Sequence, residues 1–217
     1  MLEGVRGGEL VLPRPLPYAG ATARVALVQA AASLLRGDRI ELVVRVGAGA
    51  ALELVDVAAL VAHDVRGGSA ARLAIDVELG AGACFCWDAR PLVLRPGAAV
   101  ERSVTVALEG GACALWRDTL VFDGGLLRTR TAVDRLGAPL HHEALDGADP
   151  DVLRSPAVLG GHRVLDAVAL YGSRGQAPGA MQLAGPGSLL VTLASETAET
   201  ASAAGAAFAA WRASVVR

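Results

Sequence analysis

Residues 39–55, "RIELVVRVGAGAALELV", decide the fold class. Ile40, Leu42, Val44 and Val46 occupy alternate positions, and after a Gly-Ala-Gly-Ala stretch the alternation resumes with Leu52 and Leu54. A period of two puts successive side chains on opposite faces of an extended chain, so this is strand, turn, strand. The unit recurs as "RLAIDVELGAGACFCW" (72–87) and "RSVTVALEGGACALW" (102–116), with a weaker echo in "RTRTAVDRLGAPLHHE" (128–143). The Gly-Ala pair that ends each turn falls at 49–50, 82–83, 111–112 and 137–138, spacings of 33, 29 and 26 residues. A shrinking period predicts repeated strand-turn-strand units in stacked antiparallel sheets with irregular connections, less regular than a strict solenoid. Glycine suits such turns because they need positive φ.

The period changes at the C-terminus. Ser195 can cap a helix, Glu196 and Glu199 suit its positive N-terminal end, and Ala201, Ala204, Phe208, Trp211 and Val215 follow three-four spacing. A helix over 196–214, packed on the sheet, is predicted. Before it, "DGADPDVLRSPAVLGG" (146–161) and "SRGQAPGAMQLAGPGS" (173–188) are turn-rich stretches around the apolar segment "HRVLDAVALYG" (162–172).

Composition narrows the function. The 217 residues are 53% hydrophobic and only 4% aromatic, which predicts one domain over 1–217 with a core of Leu, Val and Ala. All 20 basic residues are arginine; with no lysine, phosphate-loop and Schiff-base chemistry are excluded. The arginines are scattered among 22 acidic residues, so no basic stripe points to nucleic acid. Apolar runs such as "AGAAFAAW" (204–211) are too short to cross a bilayer, and the N-terminus lacks a signal-like apolar core. A cytoplasmic protein with reduced thiols, and no membrane partner, is the expectation.

Gly47-Ala48-Gly49 and Gly80-Ala81-Gly82 begin like a dinucleotide fingerprint, but strand rather than helix follows. There is no GxSxG or HExxH motif. His63-Asp64 reads as a surface pair at a strand end. In "HHE" (141–143), His141 and Glu143 share a strand face and can both contact a borderline metal such as nickel or zinc, while His142 points away. Cys84 and Cys86 also share a face, about 6.5–7 Å apart along the strand, with Phe85 and Trp87 on the other. They are either a soft-metal pair or buried packing. Aligning the repeats puts Cys113 opposite Cys84 and Leu115 opposite Cys86, which favours packing.

The order of these segments resembles the urease accessory protein UreD (UreH) family. The resemblance is carried by "ALVQAAASLLRGDRIELVVRVGAGAALEL" (26–54), "ELGAGACFCW" (78–87), "PLVLRPGAAVERSVTVALEGGACALWRDTLV" (91–121), "SPAVLGGHRVLDAVALYG" (155–172) and "LLVTLASETAETASAAGAAFAAWRASV" (189–215). The chain departs from the family pattern in keeping only Gly37-Asp38 of a longer Pro- and Gly-rich segment, and it is short. The resemblance implies a mainly β, helically wound fold with a C-terminal α-helix and no catalysis of its own. It also implies a scaffold that binds urease apoprotein and UreF, joins UreG through UreF, and assists nickel insertion. Nickel would be in transit, with no tightly bound cofactor, and the candidate metal contacts are Cys84, Cys86, His141 and Glu143. Two other functions fit the residues alone: a small metal-dependent β-fold enzyme using His141, Glu143 and His162 or the Cys pair, and a non-catalytic β-rich binding module.

Overall fold

The computed structural model describes residues 2–31 and 33–215. The chain enters through β1 (Val11–Ala19), β2 (Thr22–Gln29) and the short β3 (Ser33–Leu34). Stacked coils follow. The first contains β4 (Arg39–Val46), β5 (Ala51–Asp56) and β6 (Leu60–Ala62); the second β7 (Ala71–Leu79), β8 (Cys84–Asp88) and β9 (Leu92–Leu94); the third β10 (Ala99–Leu108) and β11 (Cys113–Phe122). Then come β12 (Leu126–Arg135), β13 (Ala138–Asp146), α1 (Pro150–Arg154), β14 (Val164–Tyr171), β15 (Met181–Gln182), β16 (Gly187–Ala194) and α2 (Thr197–Val215).

The mainly β, wound architecture and the C-terminal helix are those the sequence predicts, while the sense of strand pairing differs. The strands flanking the first three Gly-Ala turns do not pair with each other. β4, β7 and β10 lie in a five-stranded sheet ordered β13-β12-β10-β7-β4, and each turn crosses to a larger sheet whose main path is β1-β2-β5-β8-β11-β14-β16-β15. Equivalent strands of successive coils therefore stack in parallel, so that Val44, Val77, Val106 and Val133 form one row. Among the named strands, antiparallel pairing is confined to the ends, in β1–β2, β12–β13, β11–β14 and the β14–β16–β15 ribbon. Alternation records only which face is buried, and both arrangements bury one face.

Turn chemistry separates the two cases. In the crossing turns Gly49, Gly82 and Gly111 alone take positive φ, at the third turn position, as a type II turn requires. These turns also stack, the Gly49 N–H donating to Ala81 O and the Gly82 N–H to Gly110 O, each at 2.9 Å. In the fourth turn both Leu136 (φ 52°) and Gly137 (φ 74°) are left-handed. Two left-handed central residues match the twist of a two-residue hairpin, and here the chain reverses within one sheet, pairing β12 with β13.

The apolar faces meet between the sheets. Leu54, Phe85, Trp87, Ala114 and Trp116 of the larger sheet pack against Val44, Val77, Val106 and Val133 of the smaller one. The core is aliphatic around one aromatic knot, Trp87 and Trp116 lying 4.7 Å apart between ring centroids. The larger sheet is apolar on its other face too, because α2 covers it: Cys86, Leu115, Val168, Leu170 and Leu190 pack under Ala204, Ala207, Phe208, Trp211 and Val215. Each large apolar side chain buried there contributes roughly 1.5–3 kcal/mol. The helix is rotated slightly from its predicted face, with Ala201 exposed and Thr200 buried. Trp211 Nε1 donates to Gln176 O at 3.1 Å and Arg212 to Glu53 at 2.8 Å, which ties the helix to the loop beside it and to β5.

β1 shows how one open edge is blunted. Pro13, Pro15 and Pro17 alternate along it, so the missing N–H groups fall on one side of the strand while the other side pairs with β2. An edge without donors is a poor template for another strand.

Candidate functional site

β13 presents its groups as the alternation predicts. His142 faces outward and its Nε2 lies 2.9 Å from Asp134 Oδ1. His141 faces inward, its side chain 13% exposed, with Nε2 3.5 Å from Glu143 Oε2. The other nitrogen, Nδ1, lies 2.9 Å from the Tyr171 hydroxyl, and the two rings stack with centroids 5.7 Å apart. One hydrogen bond from β14 therefore sets the imidazole and leaves Nε2 turned toward the carboxylate. Burial raises the Tyr171 phenol well above its usual range, with the charges of Glu143 and Asp118 adding to it, so the hydroxyl stays protonated.

Behind this pair, polar groups are set into the largely apolar space between the sheets. A cavity of about 140 Å³ is lined by Gln29, Asp56, Trp87, Arg90, Arg102 and Asp118, among others. A smaller hollow of about 40 Å³ shares Arg102 and Asp118 and extends to Glu143 and Tyr171. Arg102 Nη1 and Asp118 Oδ2 are 2.6 Å apart where the two adjoin. Asp56 accepts the Arg90 backbone N–H at 3.0 Å, and burial lifts its carboxyl from the ordinary 3.8 to about 6. The larger cavity has room and polar partners for several waters.

The cysteines lie elsewhere. Cys84 and Cys86 face α2, on the opposite side of the larger sheet from this cavity, while Phe85 and Trp87 face the core. Cys86 is 1% exposed, and burial, helped by Glu53, pushes its thiol up to about 12. The register matches the repeat alignment, Cys113 beside Cys84 and Leu115 beside Cys86. His63 and Asp64 are exposed at the end of β6, and His162 is exposed in the loop before β14. Among the described residues, no three His, Cys, Asp or Glu side chains come together as a metal-ligand group.

Asp56, Arg102, Asp118 and Tyr171 are among the polar groups lining these spaces that sequence reading missed. One signal was available: in "RSVTVAL", Arg102 has the same parity as Val104, Val106 and Leu108 and so must face inward. A charge at an inward position of an otherwise apolar strand marks a polar interior.

This chain also matches a family model, described as the UreD urease accessory protein, over residues 6–217. The chain belongs to the UreD urease accessory protein family. Urease accessory protein UreD 1 of Streptomyces griseus subsp. griseus is 42% identical over 213 residues, covering 94% of this chain and 83% of the relative. UreD 3 of the same organism is 32% identical over 198 residues, covering 86% and 77%. UreD of Parafrankia sp. is 29% identical over 228 residues, covering 88% and 77%. Membership of the UreD family gives the chain a role in urease maturation. Among the described residues, no helix is long and apolar enough to cross a membrane.

Proposed function

We propose that this UreD-family chain is a cytoplasmic, non-catalytic scaffold that bridges urease apoprotein and UreF, joins UreG through UreF, and assists nickel insertion into urease. The observation that carries this reading is the family match over almost the whole chain. The lysine-free sequence supports the division of labour, because nucleotide hydrolysis would fall to a partner with a phosphate loop.

Nickel is cargo in this account. A tight four-ligand cage would trap it, whereas isolated oxygen and imidazole groups let it exchange. His141 Nε2 with Glu143, and beyond them Asp118 and Asp56, supply such groups along the space between the sheets. Cys86, buried and protonated under α2, is assigned to packing.

Co-expression tests the scaffold directly. The chain is expected to co-purify with a UreF partner and with urease apoprotein. A stable monomer that binds neither would overturn the proposal.

A further inference from the structure

We propose that Cys84 and Cys113 are an oxidative modification site, a cross-strand dithiol that a peroxide converts to an intramolecular disulfide. The inference is independent of the role in urease maturation. The two residues are directly paired on the parallel strands β8 and β11, with Sγ atoms 3.3 Å apart. Parallel neighbours stand about 4.7–4.9 Å apart, within the span of about 4.4–6.8 Å that a disulfide needs between Cα atoms, so the strand spacing suits the bond. Cys86 is not an equivalent partner. It lies two residues along the same strand, about 6.6 Å away with its side chain parallel to that of Cys84, and is sealed under α2 opposite Leu115.

Access orders the chemistry. Cys84 is half-buried, whereas Cys113 is 9% exposed. The two thiols lie within hydrogen-bond distance of each other, and Cys84 is the sulfur that a dissolved oxidant reaches first. In the first step the Cys84 thiolate attacks one oxygen of hydrogen peroxide. The O–O bond breaks, Cys84 becomes a sulfenic acid, and the departing hydroxide takes the proton that the thiol released, giving water. In the second step Cys113 sulfur attacks Cys84 sulfur and displaces its hydroxyl, which leaves with the Cys113 proton as a second water. Two thiols are oxidised by two electrons and one peroxide is reduced. A thiol reductant reverses the bond by exchange.

The test treats the purified full chain with hydrogen peroxide, alkylates it under denaturing conditions, digests it without reduction and sequences the peptides by mass spectrometry. The expected result is one disulfide per chain, with fragment ions placing it between Cys84 and Cys113, Cys86 recovered alkylated, and full reversal by dithiothreitol. Cys86→Ala should give the same link, and Cys113→Ser should stop at a Cys84 sulfenic acid that dimedone traps. Recovery of both Cys84 and Cys113 as alkylated thiols, a link through Cys86, or a link only between two chains would each overturn the proposal.

Discussion

Asp56 carries a charge problem that the fold resolves by pH. Its burial raises the carboxyl from 3.8 to about 6, so between those values the folded chain holds a proton that the unfolded chain has released. The stability this supplies is complete below 3.8 and is lost as the pH rises to about 6. Asp56→Asn keeps an oxygen for the Arg90 N–H and removes the titration. Its urea midpoint should therefore gain on that of the parent as the pH rises through this window; parallel pH profiles would contradict the assignment. His141 and Glu143 make a functional prediction at the same scale. His141→Gln with Glu143→Gln should lower the nickel content of urease several-fold while the complex with UreF still forms, measured by metal analysis of the purified urease. Sequence reading found this pair because two residues of the same parity on a strand share a face. It missed Tyr171, whose hydroxyl fixes the imidazole, because that contact joins β13 to β14 across 30 residues and no local period encodes it.

At the scale of elements, the repeated turns were legible and their destinations were not. Gly-Ala pairs located all four turns, yet three cross between sheets and one closes a hairpin. The difference lies in Leu136, an exposed leucine held at φ 52° beside Gly137. A leucine there is strained, and asparagine visits this region far more readily. Leu136→Asn should therefore raise stability by roughly 1 kcal/mol, the lower end of the cost of holding such a residue left-handed, read from the shift in urea midpoint. A loss of stability would mean that the hairpin is not of this type. The C-terminal helix was legible from its period of 3.6. Its rotation was less so, since the alanine-rich sequence around Ala201 and Ala204 offers small residues on every side and the large anchors Phe208 and Trp211 decide which face is buried.

At the scale of the whole molecule, two sheets wound into parallel-stacked coils enclose an apolar core with a few polar groups set into it, and a helix seals the outer face of one sheet. Alternation foretold strands with one buried face. Beyond Arg102, whose inward parity on β10 is readable, it could not say that the interior also holds Asp56 and Asp118, because a few inward charges hardly disturb an apolar pattern. For the same reason function is less legible than fold: no nucleophile, base or closed metal cage stands out, and family membership supplies what local chemistry leaves open. The central claim is that this chain serves urease maturation as a scaffold for nickel delivery. The most direct measurement is urease activity, with the nickel content of the purified urease, in host cells lacking only this protein. The account predicts urease that is made but nickel-poor and inactive, restored by the intact chain. Fully active, nickel-loaded urease in its absence would contradict it.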